Sequence, residues 1–528
     1  MTKGWSVTAA VVLILAGISQ AQVAAGNPYE GSASGSAPNG SSEIDKLVFA
    51  RLDSLGIKPA AICSDAVFLR RVFLDVIGTL PTAKEAREFL ADKSPDKRRK
   101  LIDRLLNRGE FADYWAMKWA DILRIKAEFP INLWPNAAEL YHRWVRQSLR
   151  DNKPINRFAR EMLTATGSNF CVPEVNFYRA VQSKDANTLA KAVALTFMGC
   201  RFEKWPVGRQ KAMAMFFDSV GYKSTAEWKE QIVFFDPKKP SGHATRQAVL
   251  PDGTKVTLPA GVDGRKIFAD WLIRADNEYF ARNIANRVWS WLIGRGIIHQ
   301  PDDIRPDNPP IHPKLLRLLE KKLIASNWNV KALMRMILNS RTYQLSSIPK
   351  SDKPEAEANF AVYPIRRLQA EVLVDALCQI TGTTERYTSA IPEPFTYIPP
   401  RQRTIALADG SITSSFLEMF GRPSRDTGFE SERNNRPTSA QRLHMINSSH
   451  VQKKIERGWR LRTLLRSRMA PREKVRTLYL TILSRYPTAA ELKIITDYAG
   501  KHKGARGQDA IVDMVWALMN SSEFLYRH

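Results

Sequence analysis

No two cysteines stand close together in this sequence: Cys63, Cys171, Cys200 and Cys378 are the four it has, with no C-x-x-C pair among them. That spacing encodes neither a disulfide scaffold nor a cysteine-built zinc site. His444 and His450 are six apart, not the four that set two zinc-binding histidines on one helix face, so no metal site is expected. No G-x-S-x-G and no Walker motif occurs, which disfavours an α/β-type serine hydrolase and a P-loop nucleotidase. Carboxylates are also scarce. In 528 residues, 53 Asp and Glu face 79 Lys and Arg, a formal charge of +26. Such an excess describes partners rather than fold and favours nucleic acid, acidic glycan or phospholipid. The remainder is ordinary globular usage, 44% hydrophobic and 25% charged, with length for two or three domains of roughly 150 residues.

The only long apolar run lies at the start. Lys3 precedes Val7 to Ile18, and Ser19-Gln20-Ala21 or Val23-Ala24-Ala25 then offers the small-x-small pattern of signal cleavage. The run is shorter than the roughly 20 residues of a spanning helix. Residues 1–25 therefore read as a secretory signal peptide, with an uncleaved anchor as the alternative, and the Gly/Ser/Ala-rich residues 26–43 as a flexible tether. No cysteine follows the run and no twin arginine precedes it, so neither a lipoprotein nor twin-arginine export is indicated. Export to the periplasm or the exterior ranks envelope polymers ahead of nucleic acid. After signal cleavage no membrane span is expected.

Helical periodicity dominates the rest. Ile44, Leu47, Val48, Leu52 and Leu55 recur at helix spacing, Val67 to Ile77 forms a second such segment, and Trp115 with Trp119 share an inward face. Thr82 with Glu85, and Thr488 with Glu491, are capping boxes. Three apolar helices are expected to end at Asn107, Asn339 and Asn520, with Phe111, Tyr343 and Phe524 folding back onto them. Only Ala248-Val249-Leu250 and Lys255 to Leu258, around Asp252-Gly253, read as β, a hairpin that must lie against the helical body. The expected fold is mainly all-α: two multi-helical domains, 44–236 and 264–528, with the hairpin in a linker over 237–263. Residues 392 to 412 are long enough for a functional loop.

Several fixed spacings then point to a family. They include Arg70-Arg71-Val72-Phe73-Leu74-Asp75 with Gly78 and Pro81-Thr82, Trp115, Trp119-Ala120-Asp121 and Arg124, Asn286-Arg287-Val288-Trp289, Asn339-Ser340-Arg341-Thr342-Tyr343-Gln344, Phe420-Gly421-Arg422-Pro423, Arg425-Asp426-Thr427 and Glu432-Arg433. Together they resemble the secreted planctomycete-type proteins that join a planctomycete cytochrome C-like domain to a second planctomycete-specific domain of unknown function. Relatives commonly carry C-x-x-C-H where this chain has Gly199-Cys200-Arg201, and C-x-C where it has Phe429-Glu430-Ser431. A c-type haem needs two thiols and the adjacent histidine. The resemblance therefore implies no covalent haem here, since only Cys200 remains, and no cofactor is expected. It also raises the question whether Gly199 to Trp205 and Thr427 to Arg433 meet at one cleft.

The densest polar constellation is Arg422, Arg425, Asp426, Glu430, Glu432, Arg433, His444 and Asn447. Glu432, Arg433, His444 and Asp426 are the catalytic candidates, because carboxylates tuned by Arg and His suit general acid–base work; an ion-pair network ordering a polar loop is the alternative. Arg422, Arg425 and Asn447 are binding candidates beside them. Arg282, Asn286 and Arg287 fall on one helix with Trp289; they would grip an anion or carbohydrate, or Arg287 would be buried against Asp302 or Asp303. From Lys453 to Arg476 ten basic residues, Arg457 and Arg460 among them, face only Glu456 and Glu473, with an apolar stripe at Leu461, Leu464 and Leu465 and a break at Pro471. Two functions stay open. One is a binding or scaffold protein holding an anionic glycan or an acidic envelope protein on basic faces around 453–476 and 143–160. The other is a hydrolase or redox-associated enzyme centred on Arg422 to His444.

Overall fold

The computed structural model describes residues 29–30, 42–501 and 506–528, so the expected signal peptide and nearly all of the expected tether lie outside the described residues. About half of the structure is helix, 52% against 7% strand, as the periodicity requires.

The helix Asp65–Val76 lies at the centre, with ten of its twelve residues buried. Its charged side chains reach outward into later parts of the chain. Arg70 donates to the carbonyls of Ile482 and Phe524, both at 2.8 Å, and Arg71 to those of Tyr343 at 2.6 Å and Leu345 at 2.8 Å. Asp75 accepts from the hydroxyls of Tyr343 (2.9 Å) and Tyr363 (2.8 Å) and pairs with Arg527 at 2.7 Å. Buried guanidiniums and carboxylates persist only when so satisfied. The segments before and after the hairpin are thus interleaved around one apolar core, and Trp115 and Trp119 both pack on Trp291, with centroids 5.4 and 5.9 Å apart.

The local devices form as the sequence implies. Thr82–Glu85 and Thr488–Glu491 close reciprocal caps. The three helix-ending asparagines share one mechanism: each side-chain amide donates to the carbonyl four residues back, Asn107 to Asp103, Asn339 to Arg335 and Asn520 to Trp516, which adds a side-chain bond to the last turn; the Arg335 and Trp516 carbonyls also accept the asparagine's own N–H. The basic segment splits into Ser449–Arg457, Trp459–Arg466 and Pro471–Ile482, with Pro471 opening the third helix, where a missing N–H costs nothing.

The hairpin pairs Arg246–Val249 with Lys255–Leu258 and buries Ala248 and Leu258. It is not the only β structure. Gln231–Phe235 pairs antiparallel with Val220–Ser224 on one side and Gly167–Ser168 on the other, and Arg366–Arg367 pairs with Tyr526–Arg527. The first of these sheets was legible in Ile232-Val233-Phe234-Phe235. It escapes a search for alternation because Phe234 and Phe235 are both half-buried, so no polar face repeats at period two.

Candidate functional site

The polar constellation is a buried ion-pair network. Asp121, on the helix Gly109–Ile122, and Glu371, on the helix Ala370–Thr381, are the two anions. Arg433 bridges them, 2.6 Å from each, Arg425 joins Asp121 at 3.0 Å, and Arg422 stands 3.6 Å from Glu371. Three guanidiniums therefore share two carboxylates, with side-chain exposures of 3%, 0% and 6% for Arg422, Arg425 and Arg433. Burial alone would raise the Glu371 carboxyl, but Arg433 and then Arg422 bring it down to about 2. Burial, with Arg425 beside it, brings Arg422 to about 10. A carboxylate held this way stays ionised and offers no free lone pair for proton transfer near neutral pH.

The other members have separate partners. Glu432 turns back into its own loop, accepting from the N–H of Asp426 (2.8 Å) and from the N–H and hydroxyl of Thr427 (3.3 and 2.9 Å). Asp426 pairs with Lys126 at 2.7 Å. His444 contacts His450 at 3.4 Å and packs on Phe416 and Phe420; burial and then His450 hold it below its ordinary value. Asn447 is exposed at the end of the helix Ser439–Asn447. The geometry brings Arg422, Arg425 and Arg433 together and leaves His444 and Asn447 outside.

On the helix Phe280–Ile293, Arg287 is buried against Asp302 at 2.6 Å, while both ends of the Asn286 amide bind Ile298 backbone, at 3.0 and 2.9 Å. Arg282 is half-buried, paired with Glu320 at 3.1 Å, and borders a cavity of about 640 Å³ with Cys200 and Trp205.

Gly199 to Trp205 and Thr427 to Arg433 touch, although no residue of the second stretch lines the cavity beside Cys200. The Arg201 guanidinium lies 5.0 Å from the Phe429 ring centre, and Asp302, which accepts the Glu430 N–H, also holds Arg287, whose guanidinium donates to the Leu195 carbonyl at 2.9 Å. Cys200 is buried, its thiol facing the carbonyls of Ile304 at 3.2 Å and Met198 at 3.4 Å. Burial pushes that thiol up to about 12. A covalently held haem does not fit: no second thiol is beside it, and Arg201 stands where the axial histidine would be.

A different cleft holds a group of unpaired cations. It measures about 1050 Å³ and lies between the turn 79–85, the segment 382–387, residues 401–403 and the helices around 450–460. Two glycines build it. Gly382 ends the helix Ala370–Thr381 at φ +76°, a left-handed conformation that suits glycine. A Cβ there would stand 2.6 Å from the Trp459 Nε1, and one on Gly458 would stand 2.6 Å from the Thr381 carbonyl. The Trp459 helix therefore butts against the end of its neighbour, where Arg460 donates to the Gln379 carbonyl at 2.7 Å, a favourable place for a cation. In the floor, Glu385 holds Lys454 and His450, both at 2.9 Å; against the effect of burial, hydrogen bonds from His450 and Lys454 keep its carboxyl below the usual value. Eight Lys or Arg line the cleft against four Asp or Glu. Arg386, Arg401, Lys453, Arg457 and Arg460 are exposed, and among the described residues none of them has a carboxylate within ion-pair distance. Sequence reasoning found Arg457 and Arg460 through the basic run. It missed Arg386, Arg401 and Trp459, for which only the Gly-Trp-Arg junction gave a local signal.

Residues 43–203 match the family described as PSCyt2, protein of unknown function (DUF1549), and residues 264–499 the one described as PSD1, protein of unknown function (DUF1553). No curated protein and no solved structure matches the chain. The two matched segments contain, in chain order, the Asp65–Val76 helix with its Arg-Arg and Asp, and the Asn339-to-Gln344 and Arg422-to-Arg433 stretches that clasp it and its neighbours. The chain thus joins a PSCyt2 domain, of the planctomycete cytochrome C-like family, to a PSD1 domain.

Proposed function

We propose that this is an exported binding protein that holds an acidic, hydroxyl-rich envelope polymer in the cleft beside Trp459. The observation that carries the reading is the convergence of five exposed cations without carboxylate partners on one concave surface. Like charges so placed repel one another in the free protein, and a polyanion removes that cost. Trp459, 56% exposed beside Arg460, adds a flat apolar face, while Thr383, Thr384 and Gln402 supply hydroxyl and amide groups suited to sugar hydroxyls. The second basic face considered above is different in kind. Arg146 pairs with Asp113, Arg157 and Lys153 with Glu161, and Arg160 with Asp270, so its charge is largely spent internally.

Retention on immobilised polygalacturonate tests the proposal. The full chain should be retained at low salt and released as ionic strength rises past the point where screening shortens to a few ångströms. Lys453→Glu with Arg457→Glu should abolish retention while leaving the melting curve in place. Retention that ignores both salt and charge reversal refutes the reading.

A further inference from the structure

A second surface remains unexplained by the cleft. Three loops distant in sequence bring the rings of Trp134, Trp228 and Phe395 together: the Trp134 centroid is 4.6 Å from that of Trp228 and 5.3 Å from that of Phe395, and the latter two are 5.6 Å apart. Phe129 and Tyr397 stand on the same loops. Phe129 is 79% exposed, Tyr397 66%, Trp228 57% and Phe395 45%, four of the six strongly exposed aromatics among the described residues. A folded chain seldom gathers so much aromatic surface in water without a use for it.

These loops are tied down rather than loose. The backbone N–H groups of Ala127 and Glu128 donate to Asp409 and Ser411, at 2.8 and 3.0 Å, and Glu128 accepts from Ala390 at 3.1 Å. That joins the first loop to the third. The second is pinned by Gln231 N–H on Asn169 at 2.7 Å and by Thr225 on Glu230 at 2.6 Å. Trp134 itself is held at φ +74° and Lys229 at +64°, conformations that side chains other than glycine adopt only when their surroundings enforce them. In edge-to-face pairs one ring spends an edge, so its own faces stay open.

Charge selects the occupant. The Lys229 ammonium lies 5.3 Å from the Trp134 ring centre and 5.4 Å from that of Trp228; the other exposed charges on these loops are Glu227, Glu393 and, four residues beyond Tyr397, Arg401. This patch therefore has no surplus of cations, unlike the cleft, and offers an acidic polymer or an anionic bilayer little. A pyranose ring has an apolar C–H face and a rim of hydroxyls, which suits open aromatic faces bordered by a few polar groups. We propose that the Trp134–Trp228–Phe395 cluster, with Tyr397 and Phe129, is a docking platform for an uncharged polysaccharide, independent of the basic cleft.

The test is co-sedimentation of the full chain with insoluble cellulose, chitin and curdlan, at low salt and at about 1 M salt, where charge effects are screened. Retention on at least one of them, indifferent to salt, is expected. Trp228→Ala with Tyr397→Ala should weaken it about tenfold or more, the factor equivalent to 1.4 kcal/mol. The same pair should leave polygalacturonate binding intact, and Lys453→Glu with Arg457→Glu should leave cellulose, chitin or curdlan retention intact, so each reading fails by itself. Both replaced rings are exposed, and an unchanged melting curve excludes unfolding as the cause. Retention on none of the three polymers overturns the proposal, as does equal retention by the double variant. Loss of binding to phosphatidylcholine vesicles in that variant, with no effect on the polysaccharides, would overturn it in favour of a membrane surface.

Discussion

Glu371→Gln removes one of two anions that serve three buried guanidiniums. Arg433 loses contacts of 2.6 and 3.0 Å and Arg422 one of 3.6 Å, and only Asp121 remains to face Arg425 and Arg433. Removing one partner of a buried pair costs about 3–5 kcal/mol, because the other charge stays desolvated. The titration of Glu371 gives a second route to the magnitude. Its carboxyl falls from the ordinary 4.5 to about 2 in the folded chain, and at 1.36 kcal/mol per unit this corresponds to about 3 kcal/mol. The sign follows from the direction. A depressed folded value means that the contribution is complete above about pH 4.5 and is lost as pH falls through about 2. Urea unfolding followed by circular dichroism should therefore show Glu371→Gln less stable than the parent by roughly 3 kcal/mol at pH 7, and the gap should close between pH 5 and pH 2. Adding Arg433→Met should recover part of the loss, since the pair then vanishes together. A variant within about 0.5 kcal/mol of the parent at pH 7, the range of an ordinary surface change, would refute this account, as would an acid dependence identical to the parent's.

Two further outcomes follow from packing and burial. Gly458→Ala places a Cβ 2.6 Å from the Thr381 carbonyl and 2.7 Å from that of Lys454, so the Trp459 helix must lift away. The expected cost is about 1–3 kcal/mol, with a red-shifted Trp459 emission measured against a Trp459→Phe background and weakened polygalacturonate retention; unchanged retention would show that the junction does not shape the cleft. For the thiols, Cys171 is exposed while Cys63 and Cys200 are buried, and only a thiolate reacts readily. Iodoacetamide followed by mass spectrometry should label Cys171 in the native chain and Cys200 only after denaturation, and equal rates would contradict the placement of Cys200 beneath Ile304.

What the sequence made legible is local. Thr82 with Glu85, the asparagines at helix ends, the Asp252-Gly253 hairpin and the inward Trp115 and Trp119 all depend on neighbours within a few positions, and each stands in the structure as its pattern implied. The buried pairing of Arg287 with Asp302 was legible as one of two options because the partners lie 15 residues apart. The role of Arg70 and Arg71 was not: their acceptors, Phe524 and Tyr343 among them, are hundreds of residues away, and no periodicity encodes such a meeting. The same reason hid the cleft. Arg386, Arg401 and Arg457 sit on three separate segments, and only the close approach permitted by Gly382 and Gly458 makes them one surface.

Distance in the chain also explains why the formal charge misdirects when taken whole. An excess of +26 suggests a molecule basic all over, yet many of its cations are consumed inside. Arg422, Arg425 and Arg433 are buried around two carboxylates, Arg70 and Arg71 bind carbonyls, and the 143–160 face is matched by Asp113, Glu161 and Asp270. A cation committed to a buried partner contributes little to the field that a polymer meets at the surface. What recruits an anionic ligand is the subset left exposed and unpaired, and five such cations stand together in the cleft beside Trp459. The aromatic cluster on the other loops carries the complementary lesson. Its exposed loop charges balance, so a part of the surface that the net charge describes badly is the part suited to an uncharged ligand.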